Sequence, residues 1–163
     1  FLKAASISKT QDEKIRFICI GRTGIYRENY ATELKQYSAQ LGLESFVHWL
    51  GDRTDVPRLM GALDILTSSS AFGEGFPNVV AEGMACGTPC VVTDVGDSSD
   101  IVGDCGLVVP PKNPAALAKA WQHILAMTKT QRDVMGRRSR ERIEQNYSVE
   151  RMVERTLEIL KNL

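Results

Sequence analysis

The chain has 163 residues, enough for one domain with a sizeable hydrophobic core. Its 20 basic and 20 acidic residues cancel, so no broad electrostatic attraction to nucleic acid or to a lipid surface is expected. No apolar run reaches the roughly eighteen residues that a membrane-crossing helix needs.

The start, Phe1-Leu2-Lys3-Ala4-Ala5, carries neither Met nor a signal-peptide pattern and reads as a piece of a longer protein. Phe1 to Ser8 suits the tail of a helix, and Lys9 to Lys14 a polar loop. Ile15 to Ile20 is a short apolar run ending at Gly21, the pattern of a buried parallel strand. Asn29 to Leu41 places Tyr30, Leu34, Tyr37 and Leu41 at helical spacing, and Gly42 stops it. Phe46 to Leu50 is the next strand, closed by Gly51. Asp55 caps a short helix with Pro57 in its first turn. Leu63 to Ser68 is a third strand, Cys90 to Thr93 a fourth and Gly106 to Val109 a fifth, with one helical turn predicted over Ser98 to Val102.

Pro110-Pro111 ends the sheet, because proline cannot donate within a ladder. Asn113-Pro114 then opens a helix with Leu117, Trp121 and Leu125 on one face, which reads as core. A helix over Thr130 to Asn146 follows. Ser148 caps a last one, whose stripe of Met152, Val153, Leu157 and Leu160 is predicted to be buried. Strands alternating with helices make an α/β fold: a Rossmann-like parallel sheet with helices on both faces and extra helices at the C-terminus. Residues 1–163 read as one domain, with no repeat, linker or low-complexity stretch.

Cys19, Cys86, Cys90 and Cys105 lie mostly in apolar runs and read as free thiols in a reducing cytoplasm. Cys86-x-x-x-Cys90 lacks the second pair or nearby His that a metal site needs, and no Asp-x-Asp pair occurs near the glycine loop, so no metal is expected. His48 reads as a strand residue rather than a base. Arg137-Arg138-x-Arg140-x-Arg142, interleaved with Glu141 and Glu144, reads as a solvated helix face, with a membrane-surface role as the lesser alternative.

The chemistry concentrates in residues 73 to 94, read as a loop, a short helix, a tight turn and a strand. Pro77 suits the first helical position, which makes Phe76 the N-cap, a residue with no side-chain oxygen for the amides of Asn78 and Val79. An anion, water or the Asn78 side chain can answer those amides. Glu74 and Glu82, with seven residues between them, shift the balance. A carboxylate accepts from paired hydroxyls and repels phosphate, so the two together suggest a ligand with hydroxyls at both ends and phosphate between. A sugar nucleotide has that layout. In open parallel sheets, ligands bind beyond the carboxyl ends of the strands. Gly21, Gly51, the Ser68–Phe76 loop and Asp94 to Asp97 are therefore expected to meet at one edge.

Glu74-Gly-Phe-Pro-Asn-x-x-x-Glu82, then Ala85-Cys86-Gly87-Thr88-Pro89, then Thr93-Asp94-Val95-Gly96, resembles the donor half of glycosyltransferase family 4 (group 1). The resemblance runs from about Ile15 to the C-terminus. It implies the C-terminal half of a GT-B fold and a retaining enzyme that transfers a hexose from a UDP- or GDP-linked donor to a glycan or lipid-linked acceptor. It assigns Glu74 the hydroxyls of the donor sugar, as the catalytic-site acid, and Glu82 the ribose hydroxyls. Gly75, Phe76, Pro77, Asn78 and Val79 would present backbone to sugar and phosphate, and Arg53 and Arg58 would lie near the base. Gly83 departs from the family, which more often has Ala there.

The resemblance further implies a strand and a pair of diphosphate-neutralising cations ahead of Ile15, and an acceptor-binding N-terminal domain. Both are expected outside this chain, so the isolated domain should be inactive. In the usual strand order the Ile15 and Leu63 strands share a neighbour, which is expected to be that absent strand. No cofactor beyond the donor is implied. The implied location is cytoplasmic, with peripheral association at the cytoplasmic face of a membrane for the complete protein. A sugar-nucleotide 2-epimerase and a non-catalytic nucleotide-sugar sensor are the competing readings. The Glu-Gly-Phe-Pro-Asn sequence argues against the epimerase.

Overall fold

A computed structural model describes residues 1–21 and 28–162. Helix α1 (Leu2–Lys9) leads to β1 (Phe17–Ile20), α2 (Glu28–Gln40), β2 (Val47–Gly51), α3 (Val56–Gly61) and β3 (Leu66–Ser68). Then come α4 (Asn78–Ala85), β4 (Cys90–Thr93), α5 (Ser98–Val102) and β5 (Leu107–Val109). Three helices close the chain: α6 (Pro114–Leu125), α7 (Lys129–Asn146) and α8 (Val149–Lys161). The alternation predicted from periodicity is the alternation observed, with β4 starting where predicted and the other strands one to three residues later than their apolar runs begin.

Every strand pair is parallel. β1 pairs with β2, and β3, β4 and β5 pair in that order, so the sheet lies in two pieces, β1–β2 and β3–β4–β5. All four residues of β4 are buried, as expected of a central strand covered on both faces. Its side chains alternate. Val91 joins Phe17, Leu117, Trp121 and Ile124 on one side, whereas Cys90 and Val92 join Val80, Met84, Ile101 and Val102 on the other. Burial pushes the Cys90 thiol up to about 12, so it stays protonated and behaves as a small apolar side chain. All four cysteines are free thiols, with Cys19 and Cys86 only partly buried.

Local signals account for the helix starts. Asn113 accepts from the Ala116 amide at 3.0 Å with Pro114 in the first turn, and Thr128 and Gln131 form a reciprocal capping box. Ser148 accepts from Arg151 at 3.2 Å. Asp55 does sit at the α3 cap position, but its carboxylate binds Arg53 and caps nothing.

Two sequence expectations are corrected. The apolar stripe of α8 is not buried: Met152, Val153, Leu157 and Leu160 are 61%, 46%, 48% and 60% exposed. Amphipathic spacing requires a helix to have an apolar face, but no other described element covers this one. The arginine run of α7 is not uniformly solvated either. Arg140 pairs with Glu144 and Arg138 with Asp104, as surface charges do. Arg142 turns inward instead, and its guanidinium donates to the carbonyls of Ile101 at 2.9 Å and Asp100 at 2.6 Å. It thereby answers carbonyls that end the five-residue α5. Arg142→Ala should leave them without that partner and destabilise the domain by about 1–2 kcal/mol, read as a lower urea midpoint at unchanged slope. No shift in midpoint would mean that water replaces the guanidinium.

Candidate functional site

The glycine loop leaves β3 at Ser68 and is gripped from below by the last residue of β4 and the turn after it. Thr93 Oγ1 donates to the Ser70 carbonyl at 2.7 Å, and Ser70 Oγ donates to Glu74 Oε1 at 2.5 Å. The Asp97 amide donates to the Gly75 carbonyl at 2.9 Å. Gly96, at φ +57°, lies so close that a Cβ there would come within 2.4 Å of the Glu74 carbonyl and 2.5 Å of the Gly75 carbonyl. A half-buried Glu74 is therefore oriented by its own loop and by β4 together. Gly73, at φ +80°, gives the loop its bend.

Helix α4 begins one residue later than the proline rule implies. Pro77, not Phe76, is the N-cap, with ψ 92°, and the helix starts at Asn78. Proline at this place has an extended ψ and so stands outside the helix. Its carbonyl accepts from the Val80 amide at 2.9 Å. No side chain caps the helix, which agrees with the reading of an unblocked start, although the responsible residue differs. Phe76 lays its ring against Tyr147 at the end of α7, with centroids 5.6 Å apart. Asn78, Val79 and Glu82 are exposed along the α4 surface, and Gly83 faces inward. A Cβ on Gly83 would approach Leu66 Cδ1 to 2.5 Å, so close packing explains a glycine within this helix.

The two glutamates do not share a cavity. Glu82, Val79 and Arg53 border a space of about 770 Å³ together with Gly21 and Asp52, whereas Glu74 lies outside it, against Ser70. A second space of about 540 Å³ opens at the strand ends near Cys19, Trp49, Ser69, Ala71, Thr93 and Lys112. Lys112 holds φ +58°, and its cation at this edge carried no motif that the sequence could announce. Arg53 is held by Asp55 through two bonds of 2.8 and 2.9 Å, and the guanidinium keeps that carboxyl below the usual carboxylate range. Arg58 is exposed on α3 and borders neither space.

The predicted convergence of strand ends is visible in pairs. Gly21 donates to Gly51 at 2.8 Å on one piece of the sheet, and Asp97 to Gly75 on the other. Ser70, Thr93 and Gly96 are the positions whose role the sequence reading missed. The available signal was the hydroxyl run Ser68-Ser69-Ser70, separated from Gly73 by only Ala71 and Phe72. Among the described residues, no group of three or more His, Cys, Asp or Glu side chains is placed to hold a metal. None of the described helices is long and apolar enough to cross a membrane.

The fold and the spaced motifs have counterparts among known proteins. The D-inositol 3-phosphate glycosyltransferase of Salinispora tropica is 32% identical over 152 residues, which cover 91% of this chain and 31% of that protein. Anabaena Alr3699/HepE, solved in complex with UDP, superposes with a TM-score of 0.87 at 26% identity, covering 99% of this chain and 44% of that one. A structure of the same protein with UDP-glucose gives a TM-score of 0.86 at 26% identity, again over 99% of this chain and 44% of that one. The chain thus spans about a third of the curated relative and less than half of the solved neighbour. Its extended motifs, its parallel sheet and the profile match over residues 1–127 lead to one assignment: the chain belongs to the glycosyl transferases of group 1.

Proposed function

We propose that this chain is the donor-binding domain of a retaining hexosyltransferase, which takes a hexose from a UDP- or GDP-linked donor to a glycan or lipid-linked acceptor. The observation that carries the reading is the loop in which Ser70 and the close approach of Gly96 hold the Glu74 carboxylate ahead of the uncapped α4. A helix start without a side-chain cap presents amides and the positive end of the dipole to a phosphate. Glu74 then accepts from hydroxyls of the donor sugar, and Glu82 from the ribose. The backbone of Gly75, Phe76, Pro77, Asn78 and Val79 lines the path between them. Arg53, kept in place by Asp55, lies on the side of the base, and Arg58, which borders neither space, is left without a role. UDP is the first donor to test, because the neighbour solved with 99% of this chain covered holds UDP or UDP-glucose.

The acceptor binds to the part of the complete protein that these residues do not include, at the cytoplasmic face of a membrane. Calorimetry with UDP and a transfer assay on the complete protein test the division of roles. Glu82→Ala should weaken UDP binding by about tenfold, the loss of a hydrogen bond to a charged acceptor. Glu74→Ala should leave UDP affinity within about twofold while transfer falls by about a hundredfold or more, since its partner is the sugar. Equal loss of UDP affinity in both variants would overturn the assignment. UDP-sugar binding with no transfer by the intact wild-type protein would instead make the molecule a sensor.

A further inference from the structure

Phe76 stands between Gly75 and Pro77, where the glycine loop turns into α4. Its side chain is 43% exposed, and its ring rests on that of Tyr147. The centroids are 5.6 Å apart and the planes inclined at 51°, within the spacing of a favourable aromatic pair. Tyr147 is itself firmly held. It follows the last residue of α7, its amide donates to the Ile143 carbonyl at 2.9 Å, and its side chain packs on the core cluster that includes Val80, Met84, Ile101 and Ile143. Its hydroxyl donates to the Asp100 carbonyl at 3.0 Å, and the Arg142 guanidinium donates to the same oxygen at 2.6 Å.

We infer that Tyr147 is a positioning residue for the glycine loop: through the Phe76 ring it holds the backbone of residues 75–77 between Glu74 and the start of α4. The inference rests on the donor site proposed above and adds to it a residue that touches no donor atom. The contacts close a circuit. The Gly75 carbonyl accepts from the amide of Asp97, the N-cap of α5. Asp100 of that helix accepts from Tyr147, and the Tyr147 ring returns to Phe76, the neighbour of Gly75. The loop is therefore held at two adjacent residues, by a hydrogen bond at one and by a ring at the next. Gly75 has no side chain with which to fix itself, so the ring of its neighbour restrains a backbone that would otherwise be free to turn. The Tyr147 hydroxyl is redundant in this circuit, because Arg142 still answers the Asp100 carbonyl without it. The ring carries the effect.

The test uses the complete protein, with transfer kinetics, UDP calorimetry and residue-resolved amide exchange. Tyr147→Leu keeps apolar bulk on the core cluster and removes the ring. It should lower kcat by about tenfold, the most that an aromatic pair of this kind commands, with UDP affinity within about twofold of the parent. Tyr147→Phe should keep kcat within about twofold. Phe76→Leu approaches the contact from its exposed side, and it carries the test even where Tyr147→Leu fails to fold. It should match Tyr147→Leu, and the double variant should be no slower than either single one. The Asp97 amide reads the same loosening with no donor present, because its partner is the Gly75 carbonyl. Its exchange should be about tenfold faster in both leucine variants and unchanged in Tyr147→Phe. Absence of transfer by the parent protein would sink the donor reading, and the Asp97 amide would still decide this inference. A loss in Tyr147→Phe equal to that in Tyr147→Leu, additive losses in the double variant, a parallel fall in UDP affinity, or Asp97 exchange unmoved by the leucine variants would each overturn it.

Discussion

Replacing Gly136 with alanine should destabilise the domain by about 2–3 kcal/mol, lowering its Tm by roughly 5–10 °C. Helix propensity alone gives the opposite sign. Gly136 is in the middle of α7, where alanine is favoured over glycine by about 1 kcal/mol. The packing decides otherwise, because a Cβ at Gly136 would fall on top of the Gly87 carbonyl oxygen and about 2.9 Å from its carbon. That carbonyl belongs to backbone with little freedom to retreat. The Gly87 amide donates to Met84 at 2.9 Å and the Thr88 amide to Gly83 at 3.1 Å, the paired bonds of a Schellman turn, with Gly87 at φ +77°. Moving Gly87 would break the end of α4, and moving α7 would open its contact with α4 and withdraw Ser139, which donates to the Cys105 carbonyl at 2.8 Å. Thermal unfolding of the complete protein, followed through the transition of this domain, checks the prediction. An unchanged or raised Tm would show that α7 shifts on α4 without penalty.

The same residue illustrates what was legible in the sequence. Element type and order were readable because the strands are apolar runs, most of them bounded by glycine or proline, and α6 and α8 each have a cap and an apolar period. The family was readable because spaced motifs occur in order along the chain. Contacts between backbones were not readable, since Gly87, Gly96 and Gly136 have no side chain whose chemistry announces a neighbour. Each owes its place to a surface that folding brings against it. The error at α8 has a related cause. A stripe of Met152, Val153, Leu157 and Leu160 records that a helix has an apolar face, and says nothing about whether a surface within this chain lies opposite. Arg142 failed in the opposite direction. It sits in a run of charges that reads as solvent-facing, but its planar donors reach the carbonyls of α5, a partner 41 residues away in sequence. At the site itself, the start of α4 was placed one residue early because Pro77 was assigned the first helical position, whereas it stands just outside as the N-cap. The conclusion that no side chain caps the helix survived, since neither Phe76 nor Pro77 has an oxygen to offer.

Gly96→Ala should impair transfer by about a hundredfold while leaving most of the fold's stability in place. The expected cause is displacement of Glu74 and not damage to the core. Alanine at φ +57° costs about 1–2 kcal/mol in the left-handed region, and its Cβ would overlap the carbonyls of both Glu74 and Gly75. Those are backbone atoms, so no rotamer change relieves the contact and the loop itself has to move. The movement would pull Gly75 from the Asp97 amide and carry Glu74 away from Ser70, which Thr93 holds in position. A misplacement on the order of 1 Å at a group that orients a substrate is worth about a hundredfold in rate. The loop is exposed on its outer side and α4 is anchored separately through Val80 and Met84, so the helix should keep its place. UDP affinity, which rests on Glu82 and the α4 amides in the proposed arrangement, should therefore fall less than the transfer rate. A Tm within about 4–8 °C of the parent would accompany that split, as expected for a cost of about 2 kcal/mol. Parallel collapse of UDP affinity and transfer would place the defect in α4, and full retention of transfer would show that the Glu74 loop tolerates being moved and that its carboxylate does not orient the sugar.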